Sequence, residues 1–390
     1  MTAGFCGLKV VFAGSIGRSV TGGQAWASLQ YLLGLEALGA DVVYLEDAGD
    51  WSVTYRWSEE VETWELDHPA GYVGSSLNDS GFTGSWIYRT SGDSRGLAGD
   101  DLEQALREAD LLIIRGVPFL SWRPEYDLPA RRIFIDVDPG FSQFRYERRE
   151  PAFVETVDRC EELFTVGQNV GSGRSTVPAC GRTWHATRPP VYLPAWPACP
   201  QSADLPVTAI MRWRGMKDLR HEGIEYGQKD KEFPAFAAMP LKTGRPFSVA
   251  LTGGGSAIFE SGGWQVIEGW RASGTPDQYR NFIRGSSAEF GVAKNCYVAT
   301  SSGWFSDRSV CYLSSGRPAI LQDSGLADWL PAKHGVAWFR TPEDAVDAVE
   351  GVYADLESQS RKARELAEEM FSADKVLPLL LERALAGVGK

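Results

Sequence analysis

A short segment near residue 306 combines the residue types that bind phosphate. Ser306, Asp307, Arg308 and Ser309 open an amphipathic stretch in which Ser306 occupies a typical helix N-cap position. The free N–H groups and the positive dipole end of such a helix attract phosphate, and an arginine there can donate two hydrogen bonds to it. The pattern therefore predicts an anion contact at residues 306–309.

Basic residues also follow a predicted strand earlier in the chain. Arg212 and Arg214 come directly after the apolar run 207–211, and Lys229 lies near the predicted start of a helix. Cations at the carboxyl end of a parallel sheet lie where a ligand diphosphate binds. The alternatives are a surface salt bridge for the two arginines and a solvated charge run for Lys229.

Two glycine pairs are candidates for close backbone approach to a ligand. Gly22 and Gly23 end the turn after the first predicted strand, and Gly253 and Gly254 follow a later strand. Glycine has no Cβ and therefore lets a phosphate or a sugar come near the backbone. A plain turn explains the first pair and a flexible loop the second pair nearly as well. Neither pair belongs to a Gly-Lys-Ser/Thr loop or a GxGxxG motif.

Two carboxylates and two histidines are candidates for hydroxyl chemistry. Glu289, which we expect in a loop, has the acceptor oxygens to bind ribose or sugar hydroxyls, with a structural cap as the alternative. Asp138 follows a predicted strand and precedes a Pro-Gly turn, so it is our candidate general base. His185 and His68 are its rivals, although a single histidine or aspartate in a loop is more often structural.

Alternating strands and helices position these residues in two α/β units. Strands are predicted at residues 8–13, 41–45, 111–114, 133–136 and 163–166, and then at 207–211, 247–251, 264–267, 297–299 and 318–321. Helices are predicted at residues 23–38, 230–238, 276–283, 307–313, 343–356, 360–370 and 376–386. The proline-rich stretch 187–204 indicates an extended connection between the units, whereas residues 51–100 show little periodicity and receive no placement.

Composition excludes several classes of protein. The 390 residues carry a net charge of −12, which argues against a nucleic-acid partner. No apolar run approaches the ~20 residues that a bilayer requires, so we expect a soluble, cytoplasmic protein without a membrane span. Six scattered cysteines without a CxxC pair, and four histidines without ligand spacing, predict reduced thiols and no metal site.

The segment 295–325 resembles the donor-binding element of GT-B glycosyltransferases, in which a loop, a helix and a Gly-x-Pro before a strand hold a sugar nucleotide. Gly316-Arg317-Pro318 matches that ending. Many retaining members carry two glutamates eight positions apart, where this chain has Gly303 and Cys311. Asp307 is the only local substitute for a carboxylate. The resemblance implies two Rossmann-like domains facing across a cleft, with residues 1–195 binding the acceptor, 196–370 binding the donor, and a terminal helix at 371–390 packing back on the first domain.

The resemblance also implies the activity: transfer of a sugar, hexosyltransferase-like, from a nucleoside diphosphate sugar to a small-molecule or glycan hydroxyl. It places Gly22 and Gly23 opposite the donor phosphates or the acceptor, and Arg212 or Arg214 at the diphosphate leaving group. No cofactor other than the donor substrate is expected, and no metal is needed if Arg212, Arg308 and helix N–H groups supply the positive field. An epimerase with the GT-B architecture and a non-catalytic nucleotide- or sugar-binding protein are the alternatives.

Overall fold

Two parallel β-sheets flanked by helices form the core of the computed structural model. The structure describes residues 4–50, 53–56, 59, 61–116, 119, 121–330 and 335–386. The strands of the first half are β1 Lys9–Ala13, β2 Asp41–Asp47, β3 Thr54–Arg56, β4 Val61–Thr63, β5 Ser85–Arg89, β6 Ser94–Gly96, β7 Leu111–Arg115, β8 Arg132–Asp136, β9 Glu162–Thr165 and β10 Trp184–Ala186. Its helices are α1 Ile16–Ser19, α2 Gly22–Ala37, α3 Asp67–Ser80, α4 Gly99–Glu108, α5 Phe141–Glu147 and α6 Pro151–Asp158, with 3₁₀ turns at Pro124–Asp127 and Leu193–Ala195.

The second half repeats this architecture. Its strands are β11 Val207–Arg212, β12 Leu219–His221, β13 Ile224–Tyr226, β14 Phe247–Thr252, β15 Gln265–Glu268, β16 Ala288–Gly291, β17 Ala319–Gln322 and β18 Val336–Phe339. Its helices are α7 Lys229–Glu232, α8 Met239–Thr243, α9 Ser256–Ser261, α10 Gly269–Ser273, α11 Pro276–Arg284, α12 Asn295–Ala299, α13 Asp307–Ser314, α14 Pro342–Tyr353, α15 Leu356–Leu366 and α16 Ala373–Ala384. Shorter helical segments lie at Phe233–Phe236, Leu326–Asp328 and Ala367–Phe371.

Both sheets have the strand order of a Rossmann fold. The first sheet runs β10-β9-β8-β7-β1-β2-β5-β6, and the second runs β15-β14-β11-β16-β17-β18. All neighbours are parallel except β5 and β6. The order reverses between β1 and β7 and between β11 and β16. Ligands of such sheets bind outside the carboxyl ends of the strands at this reversal, which therefore marks the expected site on each sheet.

The two halves share an apolar interface. Helix α2 of the first half packs against α11 of the second, and the terminal helix α16 returns to pack on α2. Where α16 crosses α2, a Cβ on Gly34 would lie 2.6 Å from the Leu377 side chain, so the helices approach closely because Gly34 has none. The Trp26, Trp196 and Tyr279 rings stack edge to face in this interface. The carboxyl ends of the two sheets thus face each other across a cleft.

The structure corrects the sequence prediction in the second half. Residues 297–299, predicted as a strand, belong to helix α12, and the strand is instead β16. Glu289, expected in a loop, consequently lies inside that strand. The helix predicted at 230–238 is also wrong, because α7 ends at Glu232 and the chain continues as a 3₁₀ turn, Phe233–Phe236, that contains Pro234. Strand β18 was not predicted, and residues 51–100 contain the β3–β4 hairpin, α3, β5 and β6 among their described residues.

Candidate functional site

A cavity of about 740 Å³ lies between the carboxyl ends of the two sheets. Its size is typical of small-molecule sites. Seven basic side chains and two acidic ones line it within the described part of the chain, although the whole protein carries a charge of −12. The basic residues are Arg18, Arg115, Arg145, Arg212, Lys229, Lys294 and Arg308, and the acidic ones are Asp138 and Asp307. The positive charge of the cavity therefore favours an anionic ligand.

Arg308 lies on the cavity wall at the start of α13 and is held from behind by a buried carboxylate. Its Nε donates to Oε1 of Glu289 at 2.6 Å, and Nη1 donates to the carbonyl oxygen of Ile210 at 3.0 Å. Burial acts to lower the pKa of Arg308, but the charge of Glu289 outweighs it and raises that pKa. Ser306 is the N-cap of α13 as predicted, and its Oγ accepts the Arg308 backbone N–H at 3.1 Å. The guanidinium is therefore charged and fixed in orientation.

Lys229, the first residue of α7, lines the same wall and is only 8% exposed. Among the described residues its ammonium group has no hydrogen-bond or ion-pair partner. Burial lowers its pKa well below the ordinary value, and the nearby charges of Arg308 and Lys294 add to this, whereas Glu289 and Asp307 oppose it. A buried cation beside other cations is stabilised by an anion bound between them.

The other candidates that follow strands of the second sheet divide into two groups. Arg212 ends β11 and lines the cavity. Arg214 lies off the wall and pairs with Asp218 and Asp230, each at 3.2 Å. Gly253 and Gly254 form a left-handed turn, with φ of 86° and 94°, and also lie off the wall. A Cβ on Gly253 would lie 3.7 Å from the Arg212 side chain, so this turn borders that arginine.

The two lining carboxylates each pair with a cation across the cleft. Asp138 follows β8 of the first sheet and accepts hydrogen bonds from Lys294 and from the Tyr297 hydroxyl, both in the second half. Burial acts to raise the pKa of Asp138, but the charge of Lys294 and these hydrogen bonds hold it below its usual value. Asp307 accepts from Nη2 of Arg115 at 3.0 Å. Both ion pairs therefore connect the two walls.

Gly22 and Gly23 permit a close approach between protein elements. A Cβ on Gly22 would lie 2.1 Å from the Thr275 carbonyl oxygen, and one on Gly23 would lie 3.1 Å from the Tyr279 ring. Gly23 lines the cavity, whereas Gly22 does not. The pair thus serves the packing of α2 on α11, and only Gly23 is also placed to meet a ligand.

Four other candidates lie away from the cavity wall. Glu289 is fully buried beneath Arg308, and Ser309 is fully buried, with no hydrogen-bond partner for its hydroxyl in the described part of the chain. His185 lies on the edge strand β10 with Nε2 2.8 Å from Glu162. His68 lies in α3, where burial lowers its pKa. The structure brings Asp138, Arg212, Lys229, Ser306, Asp307, Arg308 and Gly23 together in one cavity.

Sequence reasoning missed four of the seven basic residues that line the cavity, namely Arg18, Arg115, Arg145 and Lys294, and it also missed Tyr297. Arg115 is the last residue of the correctly predicted strand β7. Like Arg212, it is a basic residue at the carboxyl end of a predicted strand, so the same reasoning applies to it. Lys294 follows β16 closely and would have been found had that strand been recognised. Across the described residues, no group of three His, Cys, Asp or Glu side chains could hold a metal ion, and no helix is long and apolar enough to cross a bilayer.

Two Rossmann-type sheets facing across a basic cleft, with a terminal helix that returns to the first, define the GT-B fold, as the resemblance predicted. Solved structures share it. An alpha-glucosyltransferase in complex with UDP and a 13-mer DNA containing an HMU base is 12% identical, with a TM-score of 0.61 over 97% of this chain and 100% of that one. Anabaena Alr3699/HepE in complex with UDP is 11% identical, with a TM-score of 0.55 over 96% and 99%. Sucrose-phosphate synthase from Thermosynechococcus elongatus is 12% identical, with a TM-score of 0.53 over 98% and 100%.

No protein-family profile matches the sequence, and no curated protein matches it significantly. At identities of 11–12% these likenesses establish the fold.

Proposed function

We propose that this protein is a glycosyltransferase that moves a sugar from a nucleoside diphosphate sugar to a hydroxyl group of a small molecule or glycan. The observation that carries the proposal is the convergence of Lys229, Arg308 and the N-terminus of α13 on one wall of the cleft. A buried, unpartnered ammonium beside a fixed guanidinium and a helix start is a site for a diphosphate. The GT-B fold supports the same conclusion.

The donor diphosphate lies against the second sheet in this proposal. Lys229 and Arg308 bind its oxygens, and Ser306 and Asp307 border the same helix start. Arg212 stabilises the charge that develops on the leaving diphosphate. Glu289 acts through Arg308 and is a positioning residue. The basic residues supply the positive charge that a metal ion supplies in other transferases, so we propose a metal-independent reaction. Two structural neighbours were solved with UDP, which makes UDP the first nucleotide to test.

The acceptor hydroxyl approaches from the first sheet, where Asp138 lies. In the transfer, the bond from the anomeric carbon to the diphosphate oxygen breaks with its electron pair, and a bond to the acceptor oxygen forms. The hydroxyl proton passes to Asp138, which Lys294 and Tyr297 keep ionised before the reaction. A lowered pKa makes Asp138 a weak base, so most of the rate arises from orientation and from leaving-group stabilisation.

The state of the cysteines supports a proposal about the compartment. All six cysteines are free in the structure, and unpaired cysteines are typical of reducing compartments. We therefore propose a cytoplasmic location, where the protein meets a soluble donor.

Calorimetric titration of UDP and of uridine tests the donor site. Lys229→Met should weaken UDP binding about 10- to 100-fold, because hydrogen bonds to charged groups contribute roughly 1.5–3 kcal/mol. Uridine binding should not change, since uridine has no diphosphate. Arg214→Met is the matched control, because Arg214 also carries a positive charge in the region between β11 and α7 but lies off the cavity wall.

Turnover then distinguishes the activities. Release of UDP from a UDP-sugar that depends on an added hydroxyl acceptor supports a transferase. Isomerisation of the donor without an acceptor indicates an epimerase, and tight UDP binding without release indicates a binding protein. If wild-type protein binds neither UDP nor another nucleoside diphosphate, the proposed function is wrong.

A further inference from the structure

Arg115 of the first half is a basic residue of the cavity that the proposed donor site does not use. It is the last residue of β7, beside the reversal of strand order between β1 and β7, where ligands of such sheets bind. Its side chain is only 7% exposed, yet it lines the cavity. The first sheet therefore carries a largely buried guanidinium group to the edge of the cleft.

The guanidinium group of Arg115 reaches the second half at the proposed donor site. Its Nη2 donates to Oδ2 of Asp307 at 3.0 Å, and Asp307 is the first residue of α13, directly before Arg308. Burial lowers the pKa of Lys229, and the charge of Asp307 acts against this effect. Arg115 therefore ends within hydrogen-bond distance of the helix start against which we place the diphosphate.

Asp307 does not use the full hydrogen-bonding capacity of Arg115. A guanidinium group has several N–H donors, and Nε of Arg115 is buried with no partner among the described residues. The Tyr31 ring lies 5.9 Å from the guanidinium carbon. Burial raises the pKa of Tyr31 to about 12, although the charge of Arg115 and a hydrogen bond with it act to lower that pKa, so Tyr31 is neutral at neutral pH. A buried donor without a partner costs free energy, which a bound anion recovers.

Asp307 is a counter-ion that a ligand can replace. Its side chain is 42% exposed, and ion pairs with an exposed member contribute little to stability because water screens them. A diphosphate carries more negative charge than one carboxylate and offers more oxygens, so it suits the bidentate contact that an arginine makes. An anion bound at the start of α13 therefore competes with Asp307 for Arg115.

We propose that Arg115 binds the donor diphosphate from the first half, opposite Lys229 and Arg308 of the second half, and that Asp307 is its counter-ion in the free protein. This inference rests on the proposed glycosyl transfer and adds a residue of the first half to its donor site. The diphosphate then bridges the cleft, with positive charge on both sides to stabilise it as it leaves the sugar. Asp307 repels the same ligand, so it affects donor affinity in the opposite direction to Arg115.

Calorimetric titration of UDP into two single variants tests this exchange of partners. Arg115→Met should weaken UDP binding about tenfold or more, because charged hydrogen bonds to the diphosphate are lost. Asp307→Asn should bind UDP about threefold more tightly, because a negative charge beside the diphosphate is removed. An ion pair that only joins the two halves predicts the same direction of change in both variants. Opposite signs therefore distinguish a ligand contact from a structural link.

Matched controls accompany the titration. Uridine has no diphosphate and should bind both variants as it binds wild type, which shows that the second half remains folded. Arg115→Lys keeps the charge and should retain more UDP binding than Arg115→Met. Arg174→Met removes an arginine of the first half that also contacts the second half, with Nη1 3.3 Å from the Asp328 carbonyl oxygen, but lies off the cavity. This variant should bind UDP as wild type does.

The outcomes separate this inference from the proposed function. Weaker UDP binding in Arg115→Met without weakening in Asp307→Asn supports the inference. Unchanged binding in Arg115→Met, or weakening in both variants, overturns it and leaves the proposed function standing, because wild type still binds UDP. If wild type binds no nucleoside diphosphate, inorganic pyrophosphate is titrated instead. Pyrophosphate binding that Arg115→Met weakens preserves the anion site while the proposed transfer fails, whereas no pyrophosphate binding, or binding that Arg115→Met does not change, overturns both.

Discussion

The cleft has two walls: the first wall lies at the carboxyl ends of the first sheet, and the second wall lies at those of the second sheet. Both sheets have the strand order of a Rossmann fold, yet the two walls hold their charged groups in different ways. On the second wall, Arg308 is fixed by Glu289 from its own half, and Lys229 is buried with no partner among the residues that the structure describes. On the first wall, Asp138 and Arg115 find their ion-pair partners across the cleft. Arg308 is thus held within its own half, whereas Asp138 and Arg115 are held by Lys294 and Asp307 of the other half.

Hydrogen bonds between loops also join the two halves. The loop after β9 donates to the loop before α13 through the Asn169 N–H to Ser302 O and the Thr176 N–H to Thr300 O, each at 3.1 Å. The Asn169 side chain donates to Ser301 O and Gly325 O at the same distance. Strand order therefore sets where the cleft lies, while these loop contacts join its two sides.

The largest expected effect tests the buried ion pair that holds Arg308 within the second half. Arg308→Met leaves Glu289 as an uncompensated buried charge, so the free energy of unfolding should fall by about 3–5 kcal/mol. Adding Glu289→Met should recover most of that loss, because an apolar pair can replace a buried ion pair. Denaturant unfolding measures both. Arg361→Met, which breaks an exposed pair with Glu357, is the control and should cost under about 1 kcal/mol. Equal losses at the two sites would contradict the comparison.

The next effect asks whether Asp138 is a base or only a link between the walls. Asp138→Asn should reduce transfer by about 10²-fold or more while UDP binding persists, because the proton acceptor is lost. Lys294→Met removes the link and keeps the carboxylate, so its loss should be clearly smaller. Without Lys294 the pKa of Asp138 rises, so the acidic limb of the kcat/KM profile should move to higher pH. Equal rate losses in the two variants would show that Asp138 only joins the walls.

Much of this architecture was readable from the sequence, because local periodicity and capping residues determine it. The apolar run of β1, the spacing of α2 and the N-cap Ser306 predicted their elements correctly. The strand β16 was missed because it is short and contains Glu289. A carboxylate there is tolerated only because Arg308 neutralises it from another element. The hydrophobic periodicity of a sequence gives no information on an ion pair between distant segments.

The site was less predictable than the fold for the same reason. Arg212 and Arg308 follow strand ends or helix starts and could be read locally. The partners of Asp138, and the pairing of Arg115 with Asp307, depend on how the strands are ordered and how the sheets face each other. These contacts join segments far apart in the chain, so they require the three-dimensional arrangement.

A smaller expected effect tests the packing of α2 of the first half on α11 of the second half. Gly22→Ala should lower the free energy of unfolding by about 1–3 kcal/mol, because its Cβ would meet the Thr275 carbonyl oxygen at 2.1 Å. Gly23→Ala should cost less, since its nearest contact is the Tyr279 ring at 3.1 Å. Gly71→Ala, in α3 with nothing within 4 Å, is the control and should be neutral or stabilising. Thermal unfolding ranks the three variants, and a Gly22 variant as stable as the Gly71 variant would contradict this packing.

The smallest expected effect is the uptake of a fraction of a proton when a diphosphate binds, and we expect it at Lys229 on the second wall only. In the free protein the pKa of Lys229 lies well below its ordinary value because of burial and of Arg308. A bound diphosphate favours the ammonium form and raises that pKa, so binding should take up a fraction of a proton. UDP affinity should therefore fall as pH rises between the free and bound pKa values, by at most about tenfold per pH unit.

The stability of the free protein should change in the opposite direction over part of this range. Between the lowered pKa of Lys229 and the ordinary lysine value, the unfolded chain binds more protons than the folded one, so stability rises with pH. Calorimetry at about pH 8, in buffers of different ionisation enthalpy, measures the uptake above the phosphate's own pKa of about 6. Lys229→Met should abolish the uptake, whereas Arg18→Gln on the other wall should leave it intact. Proton uptake that persists in Lys229→Met would assign the titrating group elsewhere and remove Lys229 from the diphosphate.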